Sequence, residues 1–193
     1  MVGSYDYRLV LLSLLVVLVS CLVTFSLSVK VCRSESRIAR LWQIGGALAI
    51  GTGIWSMHFI GMLAFSPPIA VGYALDYTAL SWLIAIVVSW LALQISGLRE
   101  LTTRLLLVGS LFMGAGISSV HYVGMYAMHL SPPIIYNPLL VMLSVLTAIA
   151  ASMAAIHILF RLRVQRIETA LVPKILAGVV MSAALAGGHC TGM

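Results

Sequence analysis

Six apolar stretches, each long enough to cross a bilayer as a helix, constrain this chain of 193 residues more than any other feature. They run over approximately 9–29, 41–65, 77–97, 105–129, 138–160 and 173–193. A span needs about 20 apolar residues, because every backbone amide inside lipid must be satisfied within its own helix. Charged residues make up only 8% of the chain, where a soluble domain carries about 25%. The expected class is therefore an all-α membrane protein with six transmembrane helices. The first stretch is too long for a signal-peptide core, and its basic cluster follows it, so it reads as a retained helix.

The charge pattern orients the spans. Lys30, Arg33, Arg37 and Arg40 follow the first span, Arg99 and Arg104 the third, and Arg161, Arg163, Arg166 and Lys174 the fifth. Ten of eleven basic residues thus occupy alternate connections, which places those connections in the cytoplasm and the N-terminus outside. The net charge of +6 accordingly reads as topology anchoring against lipid headgroups, and nucleic acid is not an expected partner. The bacterial inner membrane is the expected location. Cys21, Cys32 and Cys190 lie on separate segments and signal neither a disulfide framework nor a thiolate metal site.

Pairing the spans exposes an internal repeat of an odd helix, a basic turn and an even helix. The even helices end in a shared pentapeptide, His-x-x-Gly-Met, at His58 to Met62, His121 to Met125 and His189 to Met193. The copies are 63 and 68 residues apart. Two crossings per unit make these parallel repeats, so all three histidines lie at one depth near the outer face. Ser-Pro-Pro follows the first two copies, at 66–68 and 131–133, and stops the helix there. Thirteen of the sixteen glycines fall in the even spans, which marks these as the inner bundle, with odd helices facing lipid.

A histidine inside lipid is costly unless it pairs, lines a cavity or binds something. His58, His121 and His189 are the expected metal ligands, and Met62, Met125 and Met193, one turn further on, are additional candidates. Imidazole suits copper, zinc, iron and nickel, and a thioether favours copper(I), so copper comes first. Zinc and haem remain alternatives on the same donors. Met57, Gly61, Tyr122, Gly124, Cys190 and Gly192 take supporting or packing roles, and the motif glycines are expected to permit close helix approach. His129 and His157 fall outside the repeat and read as a rim residue and an interfacial anchor. Paired carboxylates, a phosphate-cradling loop and a nucleophile with a supporting base are all missing from the sequence, so the chain is expected to be an input module rather than an enzyme.

These motifs resemble bacterial MHYT domains, membrane sensor modules named for a Met-His-Tyr-Thr pattern. Met57 and His58 keep its first two positions, His121 and Tyr122 its middle two, and His189 and Thr191 its second and last. The resemblance implies seven helices and a copper site near the outer face that senses oxygen, carbon monoxide or nitric oxide. It further implies a cytoplasmic output such as a diguanylate cyclase or cyclic-di-GMP phosphodiesterase. Six spans from an outside N-terminus leave Met193 outside, so the seventh helix and the output are expected beyond it. Alternative readings are a copper or other cation transporter and a haem-binding membrane protein; a homodimer is among the expected assemblies.

Overall fold

The computed structural model describes residues 4–66, 72–98, 100–129 and 136–164. Five of the expected spans are helices: α1 (Tyr7–Arg33), α2 (Ser36–Ala64), α3 (Leu75–Gly97), α4 (Thr103–Tyr126) and α5 (Pro138–Val164). At 1.5 Å per residue they measure about 35 to 44 Å, enough to cross the hydrocarbon layer. All five are apolar enough to span a membrane, which makes this a multi-pass all-α membrane fold. The sixth expected span, 173–193, lies outside the described residues.

Local chemistry sets the helix ends. Asp6 caps α1 by accepting from the Arg8 amide at 2.9 Å, and Thr102 caps α4 by accepting from the Leu105 amide at 3.2 Å. Asn137 accepts from the Leu139 amide at 2.9 Å, with Pro138 at the first helical position, where no amide hydrogen is needed. Ser34 closes α1 by returning its hydroxyl to the Lys30 carbonyl at 2.7 Å.

The even helices stop slightly earlier than expected because strands replace their last residues. α2 ends at Ala64 and is followed by β2 (Phe65–Ser66); α4 ends at Tyr126 and is followed by β4 (Met128–His129). β2 pairs with β1 (Ser4–Tyr5) and β4 with β3 (Gly72–Tyr73), both antiparallel. Tyr5 faces Phe65, and Tyr73 faces Met128. The Asp6 amide donates to the Ala64 carbonyl and the Ala74 amide to the Ala127 carbonyl, each at 2.8 Å. Each odd–even helical hairpin is thus fastened at its open end by a two-residue sheet, and the two fastenings match residue for residue. Strands of two residues carry no alternation and so leave no pattern in the sequence.

Glycine fits each even helix between two odd ones. A Cβ on Gly51 would lie 2.7 Å from the Ile86 backbone in α3, and one on Gly114 would lie 2.6 Å from the Ile149 backbone in α5. Both residues of the second contact are 63 positions after those of the first, so the repeat reproduces the packing as well as the motif. Gly53 meets Ser20 of α1, and Gly116 meets Val88 of α3, on the side of the preceding odd helix. Polar pairs add to the α2–α3 seam: Trp55 Nε1 donates to Ser81 Oγ at 3.1 Å, Trp82 Nε1 to Thr52 Oγ1 at 3.0 Å, and Gln43 and Gln94 exchange amide bonds at 3.3 Å.

Rows such as Leu11, Leu15 and Val19 on α1 and Leu80, Leu83 and Val87 on α3 are turned outward, as the lipid-facing reading requires. Near their basic ends α2 and α4 also expose equivalent residues, Ile44 and Leu48 on one and Leu107 and Leu111 on the other. At the motif end the same helices expose the equivalent Leu63 and Tyr126. At the basic end His157 is exposed and accepts from Arg161 Nε at 3.3 Å, while Lys30 lies 4.3 Å over the Trp42 ring.

Candidate metal centre

His58 sits six residues before the end of α2, and His121 five before the end of α4. The fastened hairpins hold these ends at one level, so the two imidazoles meet. Their ring centres are 5.0 Å apart and their planes inclined by 68°. His58 is 3% exposed and His121 8%, and the Nε2 atoms of both are closed off from solvent. His189, Cys190, Gly192 and Met193 lie outside the described residues. Among the described residues, no group of three His, Cys, Asp or Glu forms.

The close approach depends on Gly124. A Cβ there would meet His58 Nε2 and lie 2.8 Å from His58 Cδ2. The glycine of the second motif copy is therefore the seat of the histidine of the first. Expected only to let helices approach, Gly124 in fact accommodates the candidate ligand itself.

Aromatic side chains enclose the pair. Phe59 meets His58 edge-on at 5.4 Å, and Tyr122 meets His121 edge-on at 4.9 Å. Tyr73 lies 5.9 Å from Phe59, and Tyr136 lies 5.8 Å from Tyr122, again at matching positions of the two repeats. Both outer tyrosines stand in connections beyond the spans. Burial pushes their phenols above the ordinary value, with Tyr122 adding to the effect on Tyr136, so both present neutral hydroxyls at physiological pH.

The supporting hydroxyls were not singled out from sequence. Ser144 Oγ donates to the Val141 carbonyl at 2.8 Å, so the bond between it and Tyr122 is donated by the phenol. Ser81 likewise donates to the Thr78 carbonyl at 2.8 Å while accepting from Trp55. Ser13, Ser81 and Ser144 are 68 and 63 positions apart, and all three are buried. The same spacing relates Tyr5, Tyr73 and Tyr136. Both sets follow the repeat through the odd helices and the residues just before them.

The methionines divide. Met62 is 2% exposed and Met125 4%, each one turn beyond its histidine. Met57 packs with Val17 and Cys21 in a core cluster against α1. Gly61 occupies α2 one turn before its end. Asp76 is exposed in the first turn of α3.

Comparison with known proteins reproduces the 63-residue period of the repeat. The family MHYT, described as "Bacterial signalling protein N terminal repeat", matches at residues 51–109 and again at 114–172. The matches begin at Gly51 and Gly114, the two glycines packed against odd-helix backbone. The chain is 45% identical over its whole length to the bifunctional diguanylate cyclase/cyclic di-GMP phosphodiesterase MucR of Pseudomonas aeruginosa. It is 37% identical over 98% of its length to the cyclic di-GMP phosphodiesterase NbdA of the same organism. It is 36% identical, again over 98%, to the signaling protein YkoW of Bacillus subtilis. The chain spans 28%, 24% and 24% of these relatives. No solved structure matches. Repeat, motif and similarity agree, and the chain belongs to the MHYT family of bacterial signalling-protein N-terminal repeats.

Proposed function

We propose that this chain is a membrane-embedded, metal-binding sensor module, with copper as the metal and His58, His121 and His189 as ligands. The observation that carries this reading is the convergence of His58 and His121 from separate repeats, with His58 seated on Gly124. The separation of the two rings is compatible with a shared metal ion. Two imidazole nitrogens about 2.0 Å from a tetrahedral ion place their ring centres about 5 Å apart, against the observed 5.0 Å. Buried Met62 and Met125 supply soft donors on the same helices, which favours copper(I) over zinc. Bound copper would supply a coordination position for oxygen, carbon monoxide or nitric oxide.

The chain's own residues define the rest of the function. Phe59, Tyr73, Tyr122 and Tyr136 screen the histidines from the aqueous phase at the motif end. Because the two histidines belong to different hairpins, any ligand that alters their separation acts directly on the packing of α2 against α4. A signal arises when the ligand binds one such arrangement more tightly than another. The proposed orientation places the motif end outside the bacterial inner membrane and the basic turns in the cytoplasm. The proposed output is a cyclic-di-GMP cyclase or phosphodiesterase in the same polypeptide, consistent with the names of MucR and NbdA.

Metal analysis of protein purified without a polyhistidine tag tests the assignment. Copper should be present in the wild type and depleted in His58→Ala, His121→Ala and His189→Ala; equal copper in all four proteins removes these residues as the site.

A further inference from the structure

The contact between His58 and Gly124 runs one way. His58 of α2 reaches towards α4, and Gly124 of α4 faces back towards α2. On each of these helices the motif sets a histidine and a glycine three positions apart, His58 with Gly61 and His121 with Gly124. At about 100° per residue, three positions leave the glycine about 60° around the axis from its own histidine.

That angle limits how many helices can take part. α2 and α4 both run from a basic connection to the motif end, so they are parallel. Each step from a histidine to the next glycine therefore turns by the same amount and in the same sense. The helix that a glycine faces and the helix that the histidine reaches stand about 60° apart, the interior angle of a closed triangle. A ring of four parallel helices would need about 90°, and a pair would need both residues to point the same way.

The neighbours of α2 occupy matching sectors. Met57, about 100° to one side of His58, packs with Val17 and Cys21 of α1. Trp55, about 60° to the other side, bonds Ser81 of α3. Gly61 lies between the directions of Met57 and His58, so it faces a sector bounded by α1 and α4. On α4, Tyr122 repeats this order by bonding Ser144 of α5, the next odd helix, on the side of His121 that Trp55 takes beside His58.

The sequence supplies a third member. Gly192 follows His189 by the same three positions, in the apolar run 173–193, which lies beyond the described residues. Like α2 and α4, that run carries basic residues at its start, Arg166 and Lys174, and the motif at its other end.

We propose that the three motif-bearing segments close a one-way triangle at the motif end, in which His58 rests on Gly124, His121 on Gly192 and His189 on Gly61. The segment 173–193 takes the sector between α1 and α4, and Gly61 and Gly192 are positioning residues, each seating the histidine of another repeat. This goes beyond the metal reading, because a packing contact needs no metal to form.

Double-mutant cycles on the purified 193-residue chain test the triangle, with thermal unfolding followed in detergent and a strong chelator present. Gly124→Ala should lower the midpoint by roughly 2–4 °C and lose that effect in a His58→Ala background, where no imidazole opposes the methyl. Gly192→Ala should show the same rescue with His121→Ala, and Gly61→Ala with His189→Ala. The opposite pairings, Gly61→Ala with His121→Ala, Gly124→Ala with His189→Ala and Gly192→Ala with His58→Ala, should show smaller coupling. Additivity in any of the three forward pairs, or equal coupling in the opposite ones, overturns the triangle. Where a histidine variant does not fold, solid-state NMR of histidine- and glycine-labelled protein replaces the cycle. Three histidine–glycine cross peaks are then expected, each lost with a different motif glycine. One histidine shared by two of these glycines contradicts the proposal. Couplings confined to a dimeric fraction in light scattering overturn closure within one chain and assign the third member to a second copy. Because no metal is present, these outcomes are independent of whether the histidines bind copper.

Discussion

His58 of the first hairpin rests on Gly124 of the second, with the imidazole where any larger residue would place its Cβ. Gly124→Ala should therefore displace the ring without unfolding the chain, because the atoms in the way belong to the end of a side chain. Metal affinity should fall by about tenfold or more, in the range seen when a group that orients a ligand is removed. Gly45→Ala, with nothing within 4 Å of the added methyl, is the control. It should leave metal binding intact and stabilise the helix by up to about 1 kcal/mol. Isothermal titration with copper(I) under a competing chelator separates the two.

Gly51 and Gly114 face backbone instead, and backbone cannot swing aside. Alanine at either should force α2 from α3, or α4 from α5, at a cost of about 1–3 kcal/mol each. Thermal unfolding in detergent should show similar losses for the two variants, because their contacts with Ile86 and Ile149 are equivalent. The sites lie on different helix pairs, so the losses should be nearly additive in the double variant.

The Tyr122 phenol donates to Ser144 beside His121. Tyr122→Phe should cost about 0.6 kcal/mol and at most about 1.7, the measured span for side-chain hydrogen bonds within membranes. Ser144 keeps its bond to Val141, so no buried donor is stranded. Copper stoichiometry should be unchanged. A complete loss of copper would instead make Tyr122 a ligand.

Much of this arrangement is legible in the sequence. Five of the six apolar runs are helices where the sequence places them, because lipid leaves the backbone few alternatives. The motif spacing brings His58 and His121 to one level, since parallel repeats preserve depth. Partner choice was less visible. Nothing in the pentapeptide says that Gly124 receives His58 rather than packing in its own hairpin, because that depends on the lateral placement of the helices. The β1–β2 and β3–β4 fastenings are not legible in the sequence, because two residues have no period. Ser81 and Ser144 carry no motif of their own, and a lone serine in an apolar helix gives no sign of its partner.

Burial raises the phenol pKa of Tyr73 and Tyr136, the latter helped by Tyr122. The folded values lie above the unfolded value of 10.0, so the stabilising neutral form is fully present below pH 10.0. That stabilisation is lost as pH rises through the folded values. Absorbance titration of phenolate should show a late-ionising component in the wild type that diminishes in Tyr73→Phe and again in Tyr136→Phe. An undiminished late component in both variants, with the loss falling in the early part of the titration, would show that these rings are not shielded.

The central claim is that histidines from separate repeats hold one metal ion. Pulsed electron paramagnetic resonance of the copper(II)-loaded protein tests it most directly, because the remote ring nitrogen of each coordinated imidazole modulates the echo, more deeply as their number rises. Multiple imidazoles on a single copper are expected in the wild type, and fewer in both His58→Ala and His121→Ala. An unchanged modulation in either variant would contradict it.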